Sequence, residues 1–137
     1  MCRREWCLSW LELRNLLINN LPKLNPAELR PLDTLYWYTS LESWHEIFWN
    51  VAKNMPRYLV DRFDCDDFAF VTAYRITDKY KLNGCRVAMG PTPLGYHAWN
   101  IFVAGEDEEL FYYEPQTGEI APVLENSLRY EADRLVI

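Results

Sequence analysis

The 137-residue chain is half hydrophobic and 15% aromatic, enough apolar surface for one respectable core and hardly for two. Its formal net charge of −6 argues against nucleic acid or an anionic membrane as a partner, since either would repel such a surface. Nothing approaches the roughly 20 apolar residues needed to span a bilayer, and the start, Met1-Cys2-Arg3-Arg4-Glu5-Trp6, lacks the apolar segment of a secretory signal, so a single soluble, non-secreted domain over residues 1–137 is expected.

In chain order, Ser9 followed by Glu12 has capping-box spacing, and Leu13, Leu16, Leu17 and Leu21 recur at helical intervals until Pro22 ends the pattern. Asn25-Pro26-Ala27-Glu28 predicts one further turn. Thr39 and Glu42 repeat the capping-box spacing, and Trp44, Ile47, Phe48 and Val51 form one apolar stripe, which predicts a helix over about 40–53. After a connector over 56–63, Asp64 is placed to cap a helix that begins at Cys65 and runs to about Lys81. Past Asn83-Gly84 the pattern changes to strands at 85–89, 97–104, 109–114 and 119–123, with a loop at 90–95 and turns at 105–108 and 115–118. The expected fold class is α+β: a helical part over about 1–82, and a sheet part over about 84–137 that reads as antiparallel, with the Cys65 helix packed on it.

The four cysteines, Cys2, Cys7, Cys65 and Cys85, have the spacing of neither a disulfide framework nor paired zinc knuckles, so reduced thiols are expected. Cys85, inside a strand, reads as buried and inert. Cys65 differs, because a thiol at a helix N-terminus feels the helix dipole and unpaired amides that favour the thiolate. A base at the start of a neighbouring strand, His97, and a carboxylate ending the next one, Glu114, complete the order nucleophile, base, orienting group. His45, the other histidine, has no cysteine or acid motif beside it and reads as structural.

The stretches Phe63-Asp64-Cys65-Asp66-Asp67-Phe68-Ala69, His97-Ala98-Trp99-Asn100 and Glu114-Pro115-Gln116-Thr117-Gly118 resemble the papain-like C-terminal domain of the fungal ricin-B-type agglutinins and related small proteins of bacteria and phages. The agglutinins' lectin domain has no counterpart here. The resemblance implies a papain-like/transglutaminase-like fold and a calcium-requiring cysteine endopeptidase, with Cys65 as nucleophile, His97 as general base and acid, and Glu114 as orienting carboxylate. A protein or peptide substrate, or a transferase acting on the same acyl group, follows from that implication.

Asp64, Asp66 and Asp67 surround the thiol and should raise its pKa. A hard cation such as calcium held by Asp66 and Asp67 would relieve that repulsion; the alternative is dipole-matched surface acids or pairs with nearby arginines. One oxyanion donor would be the Cys65 amide, with Tyr58 or Gln116 as candidates for the second. The competing functional class is a non-catalytic phage, assembly or binding module that uses Trp37, Trp44 and Trp49 as an aromatic surface.

Overall fold

A computed structural model describes residues 3–137, so Cys2 lies outside the described residues. The chain opens with strand β1 (Glu5–Ser9), whose last residue also caps helix α1 (Trp10–Asn20): Ser9 Oγ accepts the Glu12 amide at 3.2 Å. A 3-10 turn at Pro26–Glu28, capped by Asn25, leads to strand β2 (Leu35–Thr39). Helix α2 (Leu41–Val51) is capped by Ser40, one residue later than the Thr39 expected from spacing; Thr39 is instead buried in β2 and donates its hydroxyl to the Arg4 carbonyl. The predicted stripe of α2 is the buried one. Trp44, Ile47, Phe48 and Val51 are all at most 4% exposed, and each such burial contributes on the order of 1.5–3 kcal/mol. Trp44 also donates its indole N–H to the Val103 carbonyl at 2.8 Å, so the ring's one polar atom stays satisfied in the core.

Helix α3 (Cys65–Tyr80) begins at Asp64 and ends where Lys81 turns left-handed at φ 58°. Ala69 and Ala73 face Val87 and Ala98, and these small side chains bring α3 close to the sheet. The remaining strands are β3 (Cys85–Thr92), β4 (Gly95–Ala104), β5 (Glu109–Glu114), β6 (Glu119–Pro122) and β7 (Arg134–Val136). β4 is central, paired antiparallel with β3 and β5; β6 extends from β5 and β7 from β3. β1 pairs antiparallel with β2, and β2 meets β4 in parallel at Thr39–Ala104 alone. Next to that junction Asn83 and Gly84 stand in for a strand: Asn83 Oδ1 accepts the Trp37 amide at 2.7 Å, and the Gly84 amide donates to the Trp37 carbonyl at 2.8 Å.

Several expectations are corrected. The N-terminal half is not purely helical, because β1 and β2 join the sheet, and the sheet is mixed rather than antiparallel. The loop expected at 90–95 is extended: β3 and β4 stay paired as far as Thr92 and Gly95, leaving Pro93 and Leu94 as the tip. β7, unmarked by any sequence pattern, closes the far edge. The segment over 124–133 crosses the sheet before β7 and sits so close to β3 that a Cβ on Gly90 would lie 1.9 Å from the Glu131 carbonyl oxygen. Among the described residues no helix is long and apolar enough to cross a membrane.

Candidate functional site

The pleat of β4 sorts its side chains. Ala98 and Asn100 face α3, where Asn100 Nδ2 donates to the Ala69 carbonyl at 2.9 Å. His97 and Trp99 alternate to the other side and pack with Tyr130 from the segment over 124–133; the His97 and Tyr130 rings meet edge to face with centroids 5.4 Å apart.

Glu114, at the end of β5, is 3% exposed and holds this side together. Its Oε2 takes His97 Nε2 at 2.5 Å and the Tyr130 hydroxyl at 2.6 Å, while Oε1 takes the Gln116 amide at 3.1 Å. Burial pushes the carboxyl up, but the hydrogen bonds from His97, Tyr130 and the Gln116 amide outweigh it and hold Glu114 below the usual carboxylate value. The ionised carboxylate only accepts, so His97 is the donor in that bond, through Nε2. Burial and the Glu114 charge raise the Tyr130 phenol well above its ordinary value, which keeps it a donor.

The expected pairing of His97 with Glu114 is therefore present, and Cys65 lies against the next residue of β4, Ala98. The thiol faces the backbone amide of Ala98, and among the described residues no hydrogen bond joins it to His97. Burial pushes the thiol up; the Ala98 amide opposes this, and the Asp64 and Asp66 charges add to it, with a net rise. Desolvation and the two carboxylates thus outweigh the backbone hydrogen bonds offered to the thiol at the start of α3. Cys85 is fully buried and its thiol is likewise raised by desolvation.

The expected metal pair, Asp66 and Asp67, is divided. Asp67 Oδ2 accepts the Asp64 amide at 3.2 Å as half of a capping box. Asp66 instead leans on the Asp64 carboxyl, and that hydrogen bond, followed by partial burial, raises its pKa. Asp64, Cys65 and Asp66 bring one ligand atom each within 4.8 Å of one another. Two carboxylates and a soft sulfur supply only part of the six to eight oxygens that calcium takes. Tyr58 is half exposed on the loop before α3, away from the Glu114 cluster's hydrogen bonds, whereas Gln116 lies at its rim.

Two clefts flank the turn over 115–118. The first, of about 430 Å³, runs between the β3–β4 tip and the segment carrying Tyr130, with Tyr96, His97, Glu114 and Tyr130 in its wall. The second, of about 480 Å³, lies toward α2, with His45, Trp49 and Met55 in its wall. Gln116 and Thr117 line both, and Cys65 lines neither. Of the three tryptophans expected as an aromatic surface, Trp37 and Trp49 are exposed and Trp44 is buried in the core. Tyr130 was missed as a site residue; the available signal was the Asn126 turn, whose side-chain amide bonds the Tyr130 amide and carbonyl.

A family model described as the ricin-type beta-trefoil lectin C-terminal domain matches residues 11–136. The chain belongs to that family. Among solved structures, this lectin C-terminal domain is similar to Polyporus squamosus lectin, in a structure described as bound to the human-type influenza-binding epitope Neu5Acα2-6Galβ1-4GlcNAc, at 21% identity and TM-score 0.75, covering 96% of this chain and 49% of that one. It is also similar to a structure described as the PSL1a-E64 complex, at 24% identity and TM-score 0.71, covering 96% and 51%. The domain thus spans about half the length of the chains whose fold it shares. No curated protein matches.

These matches overturn the family expected from the sequence. The ricin-type beta-trefoil lectin C-terminal domain family replaces the papain-like/transglutaminase-like assignment, and the fold is the one shared with Polyporus squamosus lectin. The expected cysteine hydrolase, its transferase variant and its peptide substrate are withdrawn with it.

Proposed function

We propose that this chain is a non-catalytic, carbohydrate-binding module that takes a glycan in the cleft beside His97, Glu114 and Tyr130. The observation that carries the reading is the rigid polar network at the cleft wall in a domain of a lectin family. A sugar offers hydroxyl edges and apolar C–H faces. The cleft offers matching chemistry: the His97 imidazole in its wall, the Gln116 side-chain amide and Thr117 hydroxyl at the rim, and the ring of Tyr96, which is 60% exposed.

Glu114 plays an indirect part. Its oxygens are engaged by His97, Tyr130 and the Gln116 amide, so it fixes the orientation of the groups that meet the ligand. Groups held this way lose little freedom on binding, which favours affinity. The sialylated epitope named for Polyporus squamosus lectin supports the class of ligand.

The test is a titration of the isotopically labelled chain with Galβ1-4GlcNAc, followed by NMR. Saturable shifts at Tyr96, His97 and Gln116, abolished in Tyr96→Ala, are expected. Shifts absent across a panel of neutral and sialylated glycans would sink the reading.

A further inference from the structure

Asn83-Gly84 is the one Asn-Gly pair in the chain, and such a pair carries a chemistry of its own. With no Cβ beside it, a glycine nitrogen reaches the side-chain carbonyl carbon of the preceding asparagine in backbone geometries that bulkier residues resist. The Gly84 nitrogen gives up its proton and bonds to Asn83 Cγ; the bond from Cγ to Nδ2 breaks, and ammonia leaves with that proton. Water then opens the succinimide at either carbonyl, giving aspartate or isoaspartate. The net change is one water taken up and one ammonia released, a reaction that makes asparagine thermolabile.

In the folded chain both reacting groups are tied to β2 and to the residues leading into it. The Gly84 N–H donates to the Trp37 carbonyl at 2.8 Å, and Asn83 Oδ1 accepts the Trp37 N–H at 2.7 Å. Asn83 Nδ2 donates to the Leu35 carbonyl at 2.9 Å and to Asp33 Oδ2 at 3.1 Å. Closing the ring turns Cγ away from three partners and frees a buried amide from a fourth.

We infer that Asn83 is a masked modification site: the fold suppresses succinimide formation at Asn83-Gly84, and chains that unfold convert there and lose the native junction with β2. The loss follows from what the products place in that junction. An aspartate at this position has no donor for the Leu35 carbonyl and sets a second carboxylate against Asp33, whose charge Arg86 already takes at 2.6 Å. An isoaspartate adds a carbon to the backbone and moves the Gly84 amide off the Trp37 carbonyl. The space there is tight enough that a Cβ on Gly84 would lie 2.6 Å from that oxygen. Unfolding, reversible at first, thus becomes irreversible through one hydrolysed amide.

The test holds the full 137-residue chain at mildly alkaline pH, folded in buffer or unfolded in guanidinium chloride, and follows Asn83 by peptide mapping and mass spectrometry. A peptide spanning 80–88, carried through both solvents, corrects for the solvent's own effect on the rate. Asn83 is expected to convert about tenfold or more slowly in the folded chain than in the unfolded one. Asp33→Ala removes one acceptor from Nδ2, so it should speed conversion in the folded chain and leave the unfolded rate unchanged. Asn83→Asp, which installs the product, should lower the urea midpoint, and adding Asp33→Asn should recover part of that loss because a carboxylate then meets an amide. Equal rates in the folded and unfolded chains, or an Asn83→Asp chain as stable as the parent, would overturn the inference. So would a double variant no more stable than Asn83→Asp alone, which stays decisive even where the single variant fails to fold.

Discussion

Tyr130 donates its hydroxyl proton to Glu114 Oε2 at 2.6 Å, tying the segment over 124–133 to the end of β5. The same oxygen takes the His97 proton, so one buried carboxylate positions two rings of the cleft wall. Tyr130→Phe removes that donor and keeps the ring. It should cost about 1–3 kcal/mol in urea denaturation, because a buried charge loses one of its hydrogen bonds, and it should raise the Glu114 pKa in an NMR titration. An unchanged midpoint and an unchanged titration would show that the bond contributes nothing.

Glu114 also sets an acid limb of stability. Its folded pKa lies below the ordinary glutamate value of about 4.3, so the unfolded chain binds more protons in that range and stability rises with pH. The contribution is full above about pH 4.3 and is lost as pH falls through the lowered folded value. Glu114→Gln should be less stable than the parent at pH 7 and should lose less on acidification below pH 4.3. Urea midpoints measured from pH 7 down to pH 2.5 decide it; parallel curves for the two proteins would refute the assignment.

Gly90 is required by contact. A Cβ there would lie 1.9 Å from the Glu131 carbonyl oxygen, and backbone on both sides leaves no flexible side chain to yield. Gly90→Ala should destabilise by about 1–3 kcal/mol and displace Tyr130, seen as altered His97 and Tyr130 ring shifts. The open Gly118, at φ 83° with nothing within 4 Å, separates the effects: its replacement strains the turn without touching Tyr130.

Cys65 should behave as an ordinary or sluggish thiol. Burial and the Asp64 and Asp66 carboxylates raise its pKa, so alkylation by iodoacetamide at pH 7 should be slower than that of an unstructured cysteine peptide, and Asp66→Asn should accelerate it. Cys85 should resist labelling until the chain unfolds. Mass spectrometry resolves the sites. Labelling of Cys65 at thiolate speed at neutral pH would contradict the electrostatic account.

Local chemistry made the helices legible. The Ser9 and Asp64 caps and the stripe from Trp44 to Val51 act within a turn or two, and sequence spacing reports such short reaches directly. β1 and β2 were hidden because they exist through each other, with partners 34 residues apart at Glu5–Thr39 and 26 apart at Ser9–Leu35, and the parallel step from β2 to β4 leaves no local mark. In the site, His97 and Glu114 were found because each ends or begins a strand that the pattern showed. Tyr130 was not, since its value arises only when the chain folds back over β4. The order Cys65, His97, Glu114 brought the His97–Glu114 pair into view but carried no information on the burial and the Asp64 and Asp66 charges that raise the Cys65 thiol.

Asn83 and Gly84 carry a consequence for life in a crowded solution. β2 has β1 on one flank, and its other flank, bearing the partly exposed Trp37, would present unpaired amides and carbonyls to any passing extended chain. The Asn83 side chain fills the Trp37 N–H and the Gly84 backbone fills the Trp37 carbonyl, in a fit so close that a Cβ on Gly84 would lie 2.6 Å from that oxygen. Two residues that read as punctuation between a helix and a strand thereby act as a stopper against intermolecular β-pairing, guarding the protein from self-aggregation at the one place where its sheet is stitched by a single rung.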